Sequence, residues 1–471
     1  MKRARENQDQ SIRPRFSVVV FVSIVIATIV FLNWPNRGFE TVPSGRTEVV
    51  FWHFWGGRDL DVVRDVVSRF NGSQSKFWVR EVAMPGNNMR AKLFLSAAGG
   101  DPPDIVNVDD PVIADWSRLG LLQTIEEIAG EAEAARVSEW LLPAARRLSS
   151  FENRLVGICN GLDIRALFYN QTLLDQFGFQ PPNSLNELDA ICQRITPSNV
   201  SATHLSYAFL PNPRRLMPTA IAFGGGFYDD TSHRPTLDHP ANIAALNWMQ
   251  SFSTRYGPDE VAAFRQSDQS LPGKAFPLLP IDNNSLVGRY GMLLDGQWRV
   301  REIAEFSKNR TRLGLTVPEF GVTSFPFPAN GRPNAGWVNG NVFVIPRRSN
   351  NSSGAWEFAK FWIGLDDPVN AAETCQQGGW IPVSQEVIDS QGFQNFLEDN
   401  RLFAKFVALA GSPNQFPTPV VEGASYLQRS LDTAAERAIA DPTLDAELLL
   451  RDANDDVRRF IEQRQRERLQ H

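Results

Sequence analysis

A chain of 471 residues with a net charge of −6 and 42% hydrophobic residues is long enough for two domains with substantial cores, and describes a soluble globular body. No basic stripe or basic-aromatic module stands out, which argues against nucleic acid as a partner. The three cysteines, Cys159, Cys192 and Cys375, are too few and too scattered for a disulfide framework or a zinc site. No metal and no cofactor is expected, and whether any cysteine pair is bridged stays open.

The N-terminus carries Lys2, Arg3, Arg5, Arg13 and Arg15 ahead of Phe16–Trp34, a nearly all-apolar run of about 19 residues, long enough to span a bilayer. The flanking positive charge places residues 1–15 in the cytoplasm and the body outside. A cleaved signal peptide competes with this reading, but the run is long for one and the Asn33–Arg37 exit lacks a small-x-small site. No cysteine near its end could take a lipid. The expectation is an uncleaved single-pass anchor over 16–34 in the cytoplasmic membrane, a linker over 35–46 and a periplasmic body.

The body opens on EVVFWHFWGG, Glu48–Gly57. Val49, Val50 and Phe51 form a short β-branched and aromatic run that predicts a buried strand, and from Leu60 the period becomes helical, with Val63, Val66, Val67 and Phe70 on one face. Loops at the carboxyl ends of strands are where open α/β sheets bind ligands, and Trp55 beside Gly56 and Gly57 is expected as an exposed platform. Asn71-Gly72 is expected to stop the helix. A second strand follows at Phe77–Val82, a helix at Met89–Ala98, and a third strand at Ile105–Val108 that runs into Asp109 and Asp110 on the same rim as Trp55. Strands alternating with helices predict a parallel sheet covered on both faces.

Farther on, Thr124–Leu148 is expected to be mostly helical and Asn153–Ile158 a short strand. The segment Cys159–Asp163 breaks the pattern with a glycine and two polar groups before Arg165–Tyr169 resumes as strand, which suits a crossing between domains. Ser184-Leu185-Asn186-Glu187 is a capping box opening helix Leu185–Ile195. Gly224-Gly225-Gly226 lacks the Lys-Ser/Thr ending of a phosphate loop and is taken as a turn. Gly291–Trp298 predicts strand, turn and exposed aromatic. Gly336–Asn341 precedes a strand at Val342–Ile345, helix Ala355–Leu365 follows, and Gly378-Gly379-Trp380 repeats the pairing of glycine and tryptophan. The tail, Leu444–His471, is a charged amphipathic helix.

Four tryptophans therefore sit with glycines: Trp55, Trp298, Trp337 and Trp380. Asp109, Asp110 and Asp163 add carboxylates at strand ends or crossings. Tryptophan faces stack on the C–H faces of a sugar ring while carboxylates and asparagines accept or exchange hydrogen bonds with its hydroxyls. Anions would call instead for arginines or helix N-termini.

The sequence resembles the extracellular solute-binding proteins of ABC importers, in the sugar-binding branch that includes maltose- and glycerol-3-phosphate-binding proteins. The resemblance covers about Thr47 to the C-terminus and rests on VVFWHFWGG, AKLFLSAAGGDPPDIV, GLDIRALFYN, GMLLDGQW and GNVFVIPRRSNNSSGAWEFAKFW followed by GGWIPV, in that order. It implies an α/β fold of two lobes closing on a ligand, lobe 1 from 47–160 with 337–378 and lobe 2 from 163–334 with 380–471. Carried over by motif, Trp55 lies in the first-strand loop, Asp109 and Asp110 near the acidic sugar ligand, and Asp163 at the acidic position before Tyr169-Asn170. Trp298 matches the stacking tryptophan, while Trp337, Asn339 and Trp380 lie at later crossovers. The implied function is capture of a sugar or oligosaccharide outside the membrane and delivery to ABC permease subunits, with no catalysis. A membrane-anchored carbohydrate hydrolase and a ligand sensor for a membrane partner are the alternatives.

Overall fold

The computed structural model describes residues 42–84, 89–196, 205–269 and 276–469. The expected anchor at Phe16–Trp34 lies outside them. Among the described residues no helix is long and apolar enough to cross a membrane. The chain forms two compact units, 1–46 and 47–471. The described part of the first is a short turn, in which the Arg46 N–H donates to the Pro43 carbonyl at 3.1 Å.

The second unit begins with β1 (Thr47–His53), followed by α1 (Arg58–Ser73) and β2 (Phe77–Ala83). Strands β1 and β2 pair in parallel, Val49 opposite Val79. Helix α1 buries Val62, Val63, Val66, Val67 and Phe70, the stripe that three-to-four-residue spacing puts on one face. It does not stop at Asn71-Gly72. The Asn71 amide is buried, and it donates to the Val79 carbonyl at 2.9 Å and accepts from the Val79 N–H at 2.7 Å. That residue is thus spent on satisfying the free side of edge strand β2, and the helix runs on to Ser73.

Helix α2 (Met89–Gly99) leads to β3 (Ile105–Asp109), which pairs in parallel with β1. Thr124–Leu148 is helical in pieces, at Ile125–Ala129, Glu131–Trp140 and Pro143–Ser149. Where one short strand was expected near Asn153, a two-residue hairpin pairs Ser150–Phe151 with Arg154–Leu155.

The larger departure is β4. Residues Ile158–Asn170 form one unbroken 13-residue strand, with no interruption at Cys159–Asp163. The second long strand is β7 (Gly336–Val344), reached after β5 (Met292–Gly296), α3 (Arg299–Arg312) and β6 (Phe320–Thr323). The first half of β4 pairs antiparallel with β7, Ile164 with Val338 and Ile158 with Phe343, around a bulge at Asn341/Val342. Its second half pairs with β5, Arg165 opposite Gly296, and with β6, Leu167 opposite Thr323. Strand β7 in turn pairs with β3. Continuity is imposed by these partners, which hold Gly161 extended where local sequence alone suggests a turn. A Cβ on Gly340 would stand 2.8 Å from the Gly161 carbonyl and the Cys159 sulfur, so close strand approach is what that glycine permits.

Between residues 164 and 165, β4 thus leaves the neighbourhood of β1, β2 and β3 for that of β5 and β6. A third link runs through Ile381, whose carbonyl accepts from the Leu162 N–H at 3.0 Å. Beneath the first group of strands, Phe51 and Phe343 meet Phe358 and Trp362 of α4 (Ser352–Ile363), all buried. Burial of such side chains contributes on the order of 1.5–3 kcal/mol each. The tail helix, α5 (Ala446–Leu469), packs its apolar face inward, with Leu450 and Val457 fully buried.

Candidate functional site

Side chains two residues apart share a face of a strand. At the crossing this brings polar groups from β3, β4 and β7 together. The Asn160 amide donates to the Asn107 oxygen at 2.8 Å, Asn107 donates to the Asn341 oxygen at 3.3 Å, and Asn341 reaches an oxygen of Asp163 at 3.5 Å. Gln297 donates to the other Asp163 oxygen and accepts from the Ile164 N–H at 3.2 Å. Arg165, next along the same face, donates to the Asn339 side chain. Its guanidinium lies 4.4 Å from the centre of the Trp337 ring and 5.1 Å from that of Trp298.

The charges in this floor perturb one another. Asp109, at the end of β3, is exposed to solvent but crowded by the other charges of the floor. Loss of hydration there, with the nearby Asp163 charge, pushes it up to about 6 against the pull of Arg165. Asp110 is buried and accepts from the Gly340 N–H at 3.3 Å; burial pushes it up to about 7. Burial likewise raises Asp163, with Arg165 and Gln297 opposing. Arg165 is lowered to about 10 by burial and then by Arg215. Beside it, Asp295 accepts from Arg215 and from Arg299, each at 2.9 Å, and these two cations outweigh its burial and hold its carboxyl below the usual range.

The structure therefore gathers Asp109, Asp110, Asp163, Trp298, Trp337 and Asn339 around Arg165. The other two predicted residues are buried among aromatic side chains, and Trp380 also lies against Gly161 of β4, where an added Cβ would stand 3.4 Å from its Cβ. Trp55 is 7% exposed and Trp380 8%, and both pack against Trp362, at 5.5 Å in a near-parallel stack and at 5.6 Å. The exposed platform expected at Trp55 is thus a core aromatic, because α4 brings Trp362 over the loop after β1. Trp337 is also buried and lies within a strand, its indole N–H donating to the Thr418 hydroxyl at 3.0 Å. Trp298 alone of the four is half-buried, at the start of α3.

Sequence reasoning missed Arg165, Asn107, Asn160, Asn341 and Gln297. For Arg165, Asn107 and Asn341 the signal was present as polar residues at alternate positions of otherwise apolar strands, in IVNVD, LDIRAL and WVNGNVF. At the edge of the floor, Arg301 at the start of α3 pairs with Asp59 at the start of α1 and donates to the Gln377 carbonyl at 3.1 Å, and Arg58 pairs with Glu305. Among the described residues no cluster of three or more His, Cys, Asp or Glu could hold a metal, and all three cysteines are buried and unbridged.

The family described as bacterial extracellular solute-binding protein matches residues 65–398. The chain belongs to this family. As a solute-binding protein it is 21% identical over 359 residues to a maltotriose-binding protein of Pyrococcus abyssi, covering 76% of this chain and 71% of that one. Among solved structures it is similar to a protein with mannobiose bound, at a TM-score of 0.71 and 19% identity over 88% of this chain and 100% of the other. It is also similar to the GacH receptor of Streptomyces glaucescens, solved unliganded and with acarbose, at a TM-score of 0.69 and 18% identity over 89% and 99% of the two chains. These likenesses identify the fold of this solute-binding protein as the two-lobed α/β fold.

Proposed function

We propose that this protein captures a sugar or oligosaccharide outside the cytoplasmic membrane and hands it to the permease subunits of an ABC importer, without chemical conversion. The observation that carries this reading is the polar floor at the crossing, where amides and carboxylates gather around Arg165, whose guanidinium lies 5.1 Å from the centre of the half-buried Trp298 ring. Amide oxygens and carboxylates accept from sugar hydroxyls, amide N–H groups donate to them, and an indole face covers the C–H side of the ring. Asp109, Asp110, Asp163, Trp298, Trp337 and Asn339 are the residues assigned to the ligand or its immediate surroundings, and Trp55 and Trp380 support them from the core. Lobe 1 is taken as 47–160 with 337–378, and lobe 2 as 163–334 with 380–471. The pairing of Asp163 with Gln297 and Asn341 favours a hydrogen-bonding role over that of a glycosidase acid, which needs a carboxyl free to deliver its proton. The names of the similar proteins, which refer to maltotriose, mannobiose and acarbose, support a saccharide.

The test is a thermal-shift and hydrolysis screen with maltotriose, mannobiose and acarbose. A ligand at 100 times its Kd stabilises the folded state by about 2.7 kcal/mol, which a melting curve registers. A shift without release of reducing ends is expected; release would support a hydrolase, and no shift with any saccharide would count against capture. The N-terminal anchor at 16–34 belongs to the same proposal. Intact mass of the membrane-extracted protein should retain residues 1–46, and their loss would show a cleaved signal.

A further inference from the structure

We propose that Arg165 is a positioning residue for carbohydrate capture: its guanidinium, laid between the rings of Trp298 and Trp337 and bonded to Asn339, fixes the indole that faces the sugar. This rests on the saccharide reading given above and names a residue that reading does not contain.

Three features of the geometry carry it. First, Arg165 is 8% exposed, so it is a cation withdrawn from water in the middle of the floor. Second, its hydrogen bond goes to a neutral amide, Asn339, and its Nε has no partner, so a charge-bearing group leans on two aromatic faces rather than on a carboxylate. Planar guanidinium suits that sandwich, since it stacks on aromatic faces and is weakly hydrated; an ammonium does not. Third, the half-buried Trp298 is seated on a glycine. Its ring lies over Gly296, where a Cβ would come within 2.1 Å, and Gly296 is the residue paired with Arg165 across β4 and β5. The backbone thus leaves room for the indole and the guanidinium supplies the surface that holds it.

The same placement gives Arg165 a second effect. The charged groups around it are Asp109, Asp110 and Asp163 on one side and Asp295, Arg215 and Arg299 on the other. The latter set is neutralised within itself through Asp295, with Glu302 accepting from Arg299 at 2.6 Å. Arg165 is then the cation that offsets Asp109, Asp110 and Asp163, and it opposes the burial that drives their protonation. Without it these carboxylates take up protons at higher pH and lose strength as acceptors.

The experiment is titration calorimetry on the full chain with whichever of maltotriose, mannobiose and acarbose the parent binds tightest, from pH 5 to 8, for Arg165→Lys and Arg165→Met. Arg165→Met removes plane and charge together. Its affinity at pH 7 should fall about tenfold or more, and the pH at which binding is half lost should move up. Arg165→Lys keeps the charge and loses the plane, so affinity falls while the pH midpoint stays with the parent. A merely structural role would lower the melting temperature and leave both pH profiles parallel to the parent. Affinities within twofold of the parent in both variants overturn the proposal, as does an unmoved midpoint in a folded Arg165→Met. If Arg165→Met does not fold, the outcome rests on Arg165→Lys, whose unchanged affinity would overturn it. A parent that binds none of the three saccharides overturns the capture reading itself, and this one with it.

Discussion

Two clusters built from the same residue types have opposite fates in this protein. Trp55, Trp362 and Trp380 form a buried stack, whereas Trp298 stays half-buried against the Arg165 guanidinium. In both, glycines accompany the rings, and for the same reason. A Cβ on Gly378 would come within 2.5 Å of the Trp380 ring, and one on Gly296 within 2.1 Å of the Trp298 ring. The glycine therefore marks a ring laid flat against backbone, and does not say whether the other face of that ring meets water. What decides it is the next layer: Trp362 covers Trp55 and Trp380, while a guanidinium lies on Trp298.

The comparison is broken most directly by Trp55→Ala. Loss of a packed aromatic from the stack should cost about 3–5 kcal/mol of unfolding free energy, measured from the denaturant midpoint. A cost below about 1 kcal/mol would mean that the ring is not packed in solution and that the two clusters are alike. Trp298→Ala should show the reverse balance. Saccharide affinity should fall by about 2 kcal/mol, close to thirtyfold, with a smaller loss of stability than Trp55→Ala. Equal stability losses in the two variants, with affinity intact, would remove Trp298 from the site.

The smallest effect sharpens the polar side. Asp110 has a folded-state pKa of about 7, raised from 3.8 by burial, so its charged form is disfavoured in the fold. The resulting penalty is absent below the ordinary carboxylate range, where folded and unfolded chains are both protonated. It grows as the pH rises through the window between the two values and is complete above about 7. Asp110→Asn should therefore raise the melting temperature at pH 8 and leave it nearly unchanged at pH 4. An equal shift at both values would assign the effect to packing instead of charge.

Much of the fold was legible because it is local. Alternation and helical spacing placed β1, β2, α2 and β3 within a residue or two of their bounds, and Ser184 caps its helix as expected, accepting from the Glu187 N–H at 3.3 Å. The carboxylates of the candidate site were legible too, since Asp109, Asp110 and Asp163 stand at a strand end and a crossing. Three things were decided only by tertiary structure. The continuity of β4 and β7 depends on pairing with each other, and no local propensity holds Gly161 or Gly340 extended. The assignment of each tryptophan to core or cleft depends on what is folded over it, as Trp362 is over Trp55. The polar floor depends on register, for Asn107 and Asn341 are 234 residues apart and meet only because β3 and β7 lie side by side. Sequence by itself determines which residues can be buried or can hydrogen-bond, because those are properties of a side chain and its near neighbours. Which surface covers them is a property of strands brought together from far along the chain.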